Sequence, residues 1–388
     1  MKLYNIASAI SDIESLLKRS KVDKAVYIYN LNYLKQRLSH INSVFPSTTH
    51  HAVAIKTNNL PRVLSTIVSS GCGLEAASFE EVKLAIASGC DPSDVVFDSP
   101  VKTKSEIDYC DMYFEGIRIN ANSFHELEKL KERKNIRIGI RINPMINIDS
   151  PSIYNVSGSK SKFGIPIGFE KEILSEIRSN SRIEGLHVHP GSEIKSIEDH
   201  IECIGVVYDL AQRMNVILPG RIKSLDIGGG IKSLTKNSEQ LGLDEFVDRL
   251  STRCPQLDQY IMITEYGRYI HTECAVVVSR VEDVLPYTTP QTILLHVGAD
   301  LFLREVYTGS PKHNFAALDM KGILKDGTPN IYDIGGPLCF SGDYLERNYS
   351  LFGVQVGDYI VMDKCGSNSI SMWSSHCSRE KTEVIYVD

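Results

Sequence analysis

The sequence predicts an α/β protein: a closed (β/α)8 barrel of parallel strands followed by an all-β region. Two observations carry that prediction. Short β-rich runs alternate with amphipathic stretches up to about residue 270, and such alternation means parallel strands joined by crossover helices. About eight of these units over roughly 240 residues suit a closed barrel better than an open doubly wound sheet.

The strand-like runs are, in order, "AVYIYN" (25–30), "HAVAIK" (51–56), "GLEAAS" (73–78), "DVVFD" (94–98), "GIRIN" (116–120), "IRIGIRIN" (136–143), "IEGLHVH" (183–189), "IKSLDI" (222–227) and "YIMITE" (260–265). Between most of them lie amphipathic stretches such as "SFEEVKLAIASG" (78–89), "SFHELEKLKERK" (123–134) and "SIEDHIECIGVVYDLAQRM" (196–214). Ser78, with Glu81 three residues on, is a capping-box signature. Past a boundary near Tyr269–Glu273 the text changes to "CAVVVSRVEDVLP" (274–286), "QTILLHVGAD" (291–300), "GDYIVMDKCG" (357–366) and "EVIYVD" (383–388), separated by Gly, Pro and Asn with no long helix.

Bulk properties narrow the class. A chain of 388 residues exceeds what one core usually supports, so two domains are expected. Hydrophobic content of 42% with 23% charged residues describes a soluble globular protein. A net charge of −6 offers no basic footprint for nucleic acid. No apolar stretch approaches membrane-spanning length, and the first residues carry acids where a signal peptide needs a clean apolar core. The 9 cysteines lack CxxC or zinc-ligand spacing, and their odd number fits a reduced compartment. The expected location is the cytoplasm, with no metal site.

In such barrels the strand C-termini form the active face. Lys56 ends "HAVAIK", Arg141 and Asn143 end "IGIRIN", His189 ends "GLHVH", Gly228, Gly229 and Gly230 follow "SLDI", and Glu265 ends "YIMIT" ahead of Gly267 and Arg268. Each has a bland reading. The lysine suits any solvated strand end, the histidine a satisfied core, the glycines a sharp turn, and Glu265 with Arg268 a surface ion pair worth little. Their convergence on one rim favours a site. A lysine held there by apolar walls has its pKa lowered by desolvation and becomes a nucleophile that forms a Schiff base with an aldehyde. Exposed glycine N–H groups cradle a phosphate, with Arg268 beside them and Gly267 allowing close backbone approach. Glu265 keeps a pyridine nitrogen protonated, and His189 stacks on the ring. The cofactor these parts suit is pyridoxal 5′-phosphate (PLP).

The chain resembles the barrel-type PLP-dependent amino-acid decarboxylases, the diaminopimelate, ornithine and arginine decarboxylase family. The resemblance covers nearly the whole chain and rests on "AIKTN", "EAASFEEV", "RINP", "SKFGI", "HVHPGSE", "LDIGGG", "TEYGRY", "GADLFLREVY", "GGPLCFSGDYL" and "CGSNSISMWSSHCSR", in the family's order. It implies an N-terminal segment (1–24) that joins the β-domain, a PLP-binding barrel (25–270) and a C-terminal β-domain (271–388). It further implies a head-to-tail homodimer with shared active sites. By the same resemblance Lys56 would hold PLP, His189 would stack on it, and Ser192, Gly229, Gly230 and Arg268 would bind its phosphate. Arg141 would join that cofactor set, and Arg304 and Tyr307 would hold a substrate carboxylate. Cys339 of the partner subunit would reprotonate the carbanion, against the bland reading of a buried structural cysteine.

Four departures from the family pattern qualify this. Tyr266 and Glu305 stand where prolines are usual, Asn368 stands for a phosphate-binding tyrosine, and Phe340 replaces the acid after the cysteine. That acid grips the distal amine of the usual diamino acids, so Phe340 points to a specialised carboxylated or conjugated substrate, as in siderophore or antibiotic biosynthesis. Two other readings stand beside this one. The first is a non-catalytic regulatory homologue, which Asn368 and Phe340 favour. The second is an amino-acid racemase of the same fold, which Glu265 opposes, since such racemases place arginine against the pyridine nitrogen.

Overall fold

The computed structural model describes residues 5–19, 22–148, 154–192, 194, 196–231, 242–309 and 312–388. The chain divides into two compact units, Lys35–Ile270 and Met1–Leu34 with His271–Asp388.

The first strand, β1 (Ala25–Asn30), lies outside the barrel. The barrel strands are β2 (His50–Ala54), β3 (Gly73–Ala76), β4 (Val95–Phe97), β5 (Arg118–Ala121), β6 (Arg137–Asn143), β8 (Ile183–His187), β9 (Ser224–Asp226) and β10 (Ile261–Thr264), with a two-residue β7 (Ile165–Pro166) beside β6. They run parallel in the order β5-β4-β3-β2-β10-β9-β8-β6, and the pairing of β5 with β6 closes the ring. The expected (β/α)8 barrel is present, an α/β fold. Crossovers run through α3 (Pro61–Ser69), α4 (Phe79–Ala87), α5 (Lys104–Tyr113), α6 (Phe124–Leu130), α7 (Glu170–Ser179), α8 (Ile197–Ile217) and α9 (Leu243–Arg253), after α1 (Ile6–Arg19) and α2 (Leu31–Val44). No helix among the described residues is long and apolar enough to cross a membrane.

Helix starts follow local chemistry. Thr103 and Glu106 form a reciprocal capping box on α5. At the expected Ser78–Glu81 box only half of that pattern forms. Ser78 accepts the Glu81 N–H, but the Glu81 carboxylate accepts the N–H of Ala77, one residue early. Ser123 and Glu126 on α6 repeat this displaced arrangement, with Glu126 taking the Asn122 N–H.

The other unit is all-β. Strands β11 (Ala275–Leu285), β12 (Gln291–Leu295), β13 (Phe315–Leu318), β14 (Pro329–Gly335), β15 (Tyr344–Phe352) and β16 (Tyr359–Met362) form a sheet in the order β13-β16-β11-β12-β14-β15. β1 pairs antiparallel with β11 and parallel with β17 (Glu383–Val387), so both chain ends build this sheet. The run "AVYIYN" therefore belongs here and not with the barrel units among which its apolarity placed it. A continuous apolar run reports burial on both faces, which a central strand of either sheet satisfies. Its removal from the nine strand-like runs leaves the eight barrel strands.

Candidate active site

Inside the barrel Ala52, Val96 and Ile263 form a buried apolar layer contributed by three different strands. Side chains alternate along a strand, so the residues two positions further on share that inward face. Those are Ala54, Asp98 and Glu265. At this level the barrel turns from apolar to charged, and the site begins.

Lys56 follows β2 in a single 3-10 turn, Ile55–Thr57, and its side chain is 44% exposed while its amine pairs with the buried carboxylate of Glu75. The expected lowering of its pKa does not occur. Burial pushes the lysine pKa down, but the carboxylates of Glu75, Glu265 and Asp98 outweigh it and the net direction is up. The amine is therefore held charged and beside a base, rather than neutralised by desolvation.

Glu265 directly follows β10, is buried, and neither carboxylate oxygen has a hydrogen-bond partner. Burial, reinforced by Asp226, Glu75 and Asp98, pushes its carboxyl well above the usual range. Its nearest imidazoles are His187 (Nε2 at 3.7 Å) and His189 (Nδ1 at 3.8 Å). His189 Nδ1 accepts the Gly229 N–H at 3.0 Å, which fixes the tautomer carrying its proton on Nε2. Burial, then Arg141 and Lys56, push the His189 pKa well below its ordinary value, so this ring is neutral. Arg141 donates to Asp98 at 2.9 Å with its guanidinium over the Phe163 ring. Asn143 proves structural: its side chain ties down Met145 and Gly158.

The glycine run keeps only part of the expected set of open amides. Gly228 (φ 65°) and Gly230 (φ 111°) occupy left-handed backbone, and a Cβ on Gly228, Gly229 or Gly230 would run into the carbonyl oxygens of Val188, Glu265 and Gly191 respectively. The Gly228 N–H is taken by Asp226 and that of Gly229 by His189, so the expected three-amide cradle is reduced to Gly230 among the described residues. Gly267 sits flush against Thr57, and the Arg268 guanidinium lies over Tyr154. The Ser192 N–H donates to the Tyr154 carbonyl, and Glu193, which ends the "HVHPGSE" motif, lies outside the described residues. Tyr266, in place of the family's proline, is buried against Phe45 and Tyr269 and serves packing.

The β-unit holds the remaining predicted residues. Arg304 and Tyr307 share α10 (Leu303–Thr308), three residues apart and so on one face. Tyr307, 67% exposed, stacks on Phe340 with centroids 5.8 Å apart and planes at 15°. Cys339 is exposed, whereas seven of the nine cysteines are buried, which removes the buried-structural reading. Glu305 turns inward to His313. Asn368 is in left-handed backbone (φ 57°), which asparagine tolerates.

Residue reasoning missed Asp98, His187 and Asp226, and gave no role to Glu75. The available signal was a charge embedded in or ending an apolar strand run ("GLEA", "VVFD", "SLD"). Tested against PLP, the residues fit. An amine stands at the rim, a buried carboxylate awaits a donor, and the Gly230 turn and the Arg268 guanidinium are groups suited to an anion.

Residues 31–272 match the family described as "Pyridoxal-dependent decarboxylase, pyridoxal binding domain". A diaminopimelate decarboxylase of Aquifex aeolicus is 28% identical over 375 residues, covering 94% of this chain and 86% of that protein. The crystal structure of Helicobacter pylori diaminopimelate decarboxylase complexed with L-lysine superposes with a TM-score of 0.87 at 25% identity, covering 97% of this chain and 94% of that one. The arginine decarboxylase of Paramecium bursaria Chlorella virus, bound to agmatine, shares the fold at 18% identity and a TM-score of 0.85, covering 97% and 100%.

Proposed function

The chain belongs to the pyridoxal-dependent decarboxylases, and from that membership we propose that it removes the α-carboxylate of an amino acid whose far end carries a carboxylate or a conjugated polar group. It is a PLP-dependent amino-acid decarboxylase, and Glu265 is the observation that carries the residue-level reading. A buried carboxylate with both oxygens unpaired costs about 1–3 kcal/mol, a cost offset once a ring N–H meets it.

PLP supplies, when bound, an aldehyde for an amine and a protonated ring that accepts the electrons left behind by departing CO2. Lys56 would hold the cofactor through its amine. Its proton passes to Glu75, the carboxylate touching it. Glu265 would face the ring nitrogen and keep it protonated. His189, neutral and pinned by the Gly229 amide, gives the ring a flat wall. Gly230, Arg268 and Ser192 would seat the phosphate, with Gly228, Gly229 and Gly267 shaping the turn around it and Arg141 completing the barrel's share; Asn368 stays in the proposal by its motif position alone. Cys339 returns a proton to the α-carbon, from the second copy in a homodimer with shared sites; its exposed thiol supports this role.

Substrate choice follows from the residues around Cys339. Phe340 with Tyr307 offers an aromatic surface, and a cation over such a ring at an exposed site is worth only about 0.5–1 kcal/mol. Asp343 does not substitute for the missing acid. Its two oxygens accept the N–H groups of Ala299 and Leu338, both at 2.7 Å, and it is buried. A distal ammonium thus lacks a carboxylate there, whereas Arg304 favours a distal carboxylate. The test is kcat/KM for ornithine, lysine, diaminopimelate and a carboxylated conjugate, read as CO2 release, with Phe340→Glu alongside. The conjugate or diaminopimelate should lead, and Phe340→Glu should raise ornithine and lysine turnover. Ornithine or lysine as the best wild-type substrate overturns this view of the pocket.

A further inference from the structure

His187 ends β8 in the barrel interior and is fully buried, and neither ring nitrogen has a hydrogen-bond partner. Each nitrogen faces a carboxylate. Nδ1 lies 3.3 Å from Asp98 Oδ1 and Nε2 lies 3.7 Å from Glu265 Oε2. The other oxygen of Asp98 accepts from Arg141 at 2.9 Å, which fixes the carboxylate in place. The four groups therefore form a line: Arg141, Asp98, His187, Glu265.

We propose that Asp98, His187 and Glu265 are a buried proton relay, in which Asp98 holds His187 in the tautomer protonated on Nδ1 and Nε2 takes the proton that Glu265 carries. The Oε2–H bond of Glu265 breaks, an N–H bond forms on Nε2, and no electrons are exchanged. The imidazolium so formed is balanced by the Asp98 carboxylate, and Glu265 is left ionised to face a protonated ring nitrogen. This rests on the reading of Glu265 as the partner of that nitrogen.

Several observations support the direction of transfer. Burial and the neighbouring acids Asp226, Glu75 and Asp98 favour the protonated form of Glu265 in the open barrel. Asp98 is the opposite case. Burial works against its charge, but Arg141 and His187 hold its carboxyl well below the usual range. His189 is no alternative acceptor, because its Nδ1 lone pair is spent on the Gly229 N–H. The charged and titratable groups around Glu265 come from every neighbouring strand: Lys56 after β2, Glu75 on β3, Asp98 after β4, Arg141 on β6, His187 and His189 from β8, and Asp226 on β9. Of these, His187 has an unspent nitrogen on each side. Separations of 3.3–3.7 Å close to hydrogen-bond length with sub-ångström adjustment, as catalytic contacts do on loading.

The test reads histidine protonation directly. Protein with 15N-labelled imidazoles is recorded before and after loading with PLP, and His187 is assigned from the signal lost in His187→Gln. Before loading, Nδ1 alone should carry a proton, and after loading both nitrogens should. An unchanged protonation pattern overturns the relay. Should His187→Gln not fold, Asp98→Asn decides. It should lower kcat about 10–100-fold with KM changed by less than about threefold, and shift the pH transition of the bound cofactor's absorbance by about one unit. In a Glu265→Gln background the same change should cost nothing further. A structural role for Asp98, including loosening of Arg141, would cost the same factor in both backgrounds and overturn the proposal. The spectra need no turnover, so a wrong substrate leaves them decisive.

Discussion

Glu265 and Lys56 set what the barrel mouth can do, because one is a buried acid without a hydrogen-bond partner and the other an amine clamped by a base. Two outcomes follow from their chemistry. Lys56→Ala should leave PLP bound only reversibly, so borohydride reduction followed by peptide mass analysis should find no label on the 51–64 segment; a label retained there removes Lys56 from this role. Glu265→Gln should keep PLP bound, since the phosphate contacts lie elsewhere, and lower kcat by about 100-fold or more, because an amide cannot hold the ring proton. At this scale the sequence was legible where a polar residue ended a strand, as with Lys56, His189 and Glu265. Glu75, Asp98 and His187 escaped because an inward charge acquires meaning only once the barrel closes around it. The direction of the Lys56 shift escaped for the same reason: three of the carboxylates that reverse it come from three other strands.

Among the elements, strands read better than the ties between them. Eight of the nine apolar runs became barrel strands because a run buried on both faces has one composition in any parallel sheet. Helix starts read well in kind and imperfectly in detail. The Ser78–Glu81 spacing correctly marked the start of α4, but the carboxylate reached Ala77 instead of closing the box. Ser78→Ala should therefore cost about 1 kcal/mol, measured as a lower urea midpoint with an unchanged slope. An undisturbed midpoint would show that the Glu81–Ala77 bond alone holds that end. The glycine turn after β9 is less forgiving. Gly230→Ala meets both a left-handed φ and the Gly191 carbonyl, and reduced PLP affinity, read by equilibrium dialysis, is the expected result.

For the molecule as a whole, buried histidines such as His51, His200 and His271 contribute to its response to acid. Burial pushes His51 and His200 down to about 4 and His271 down to about 3, with His50 adding to the shift at His51. Their folded pKa values lie below the unfolded value near 6.5, so the unfolded chain takes protons first. Stability from these groups is complete above about pH 6.5 and is lost as pH falls toward 4, on the order of a few kcal/mol each. Chemical denaturation at pH 7.5 and pH 5 should show it, and equal stabilities would mean that these rings reach solvent. The proposed sharing of sites between two copies makes a second prediction at this scale. Mixing Lys56→Ala with Cys339→Ala subunits should restore about a quarter of wild-type activity, since random pairing makes half the dimers mixed and each has one intact site. No recovery would place Cys339 in its own subunit's site.

β1 and β11 are neighbours in one sheet, yet the entire barrel is spelled out between them. During synthesis β1 leaves the ribosome first and waits for roughly 240 residues, on the order of 12–50 s at ordinary elongation rates, before its first partner exists. Its second partner, β17, follows β11 later still in the chain. Every barrel strand precedes β11 in the chain, so the barrel can close while the buried, mostly apolar β1 is still unpaired, and completion of the β-sheet is the later folding event.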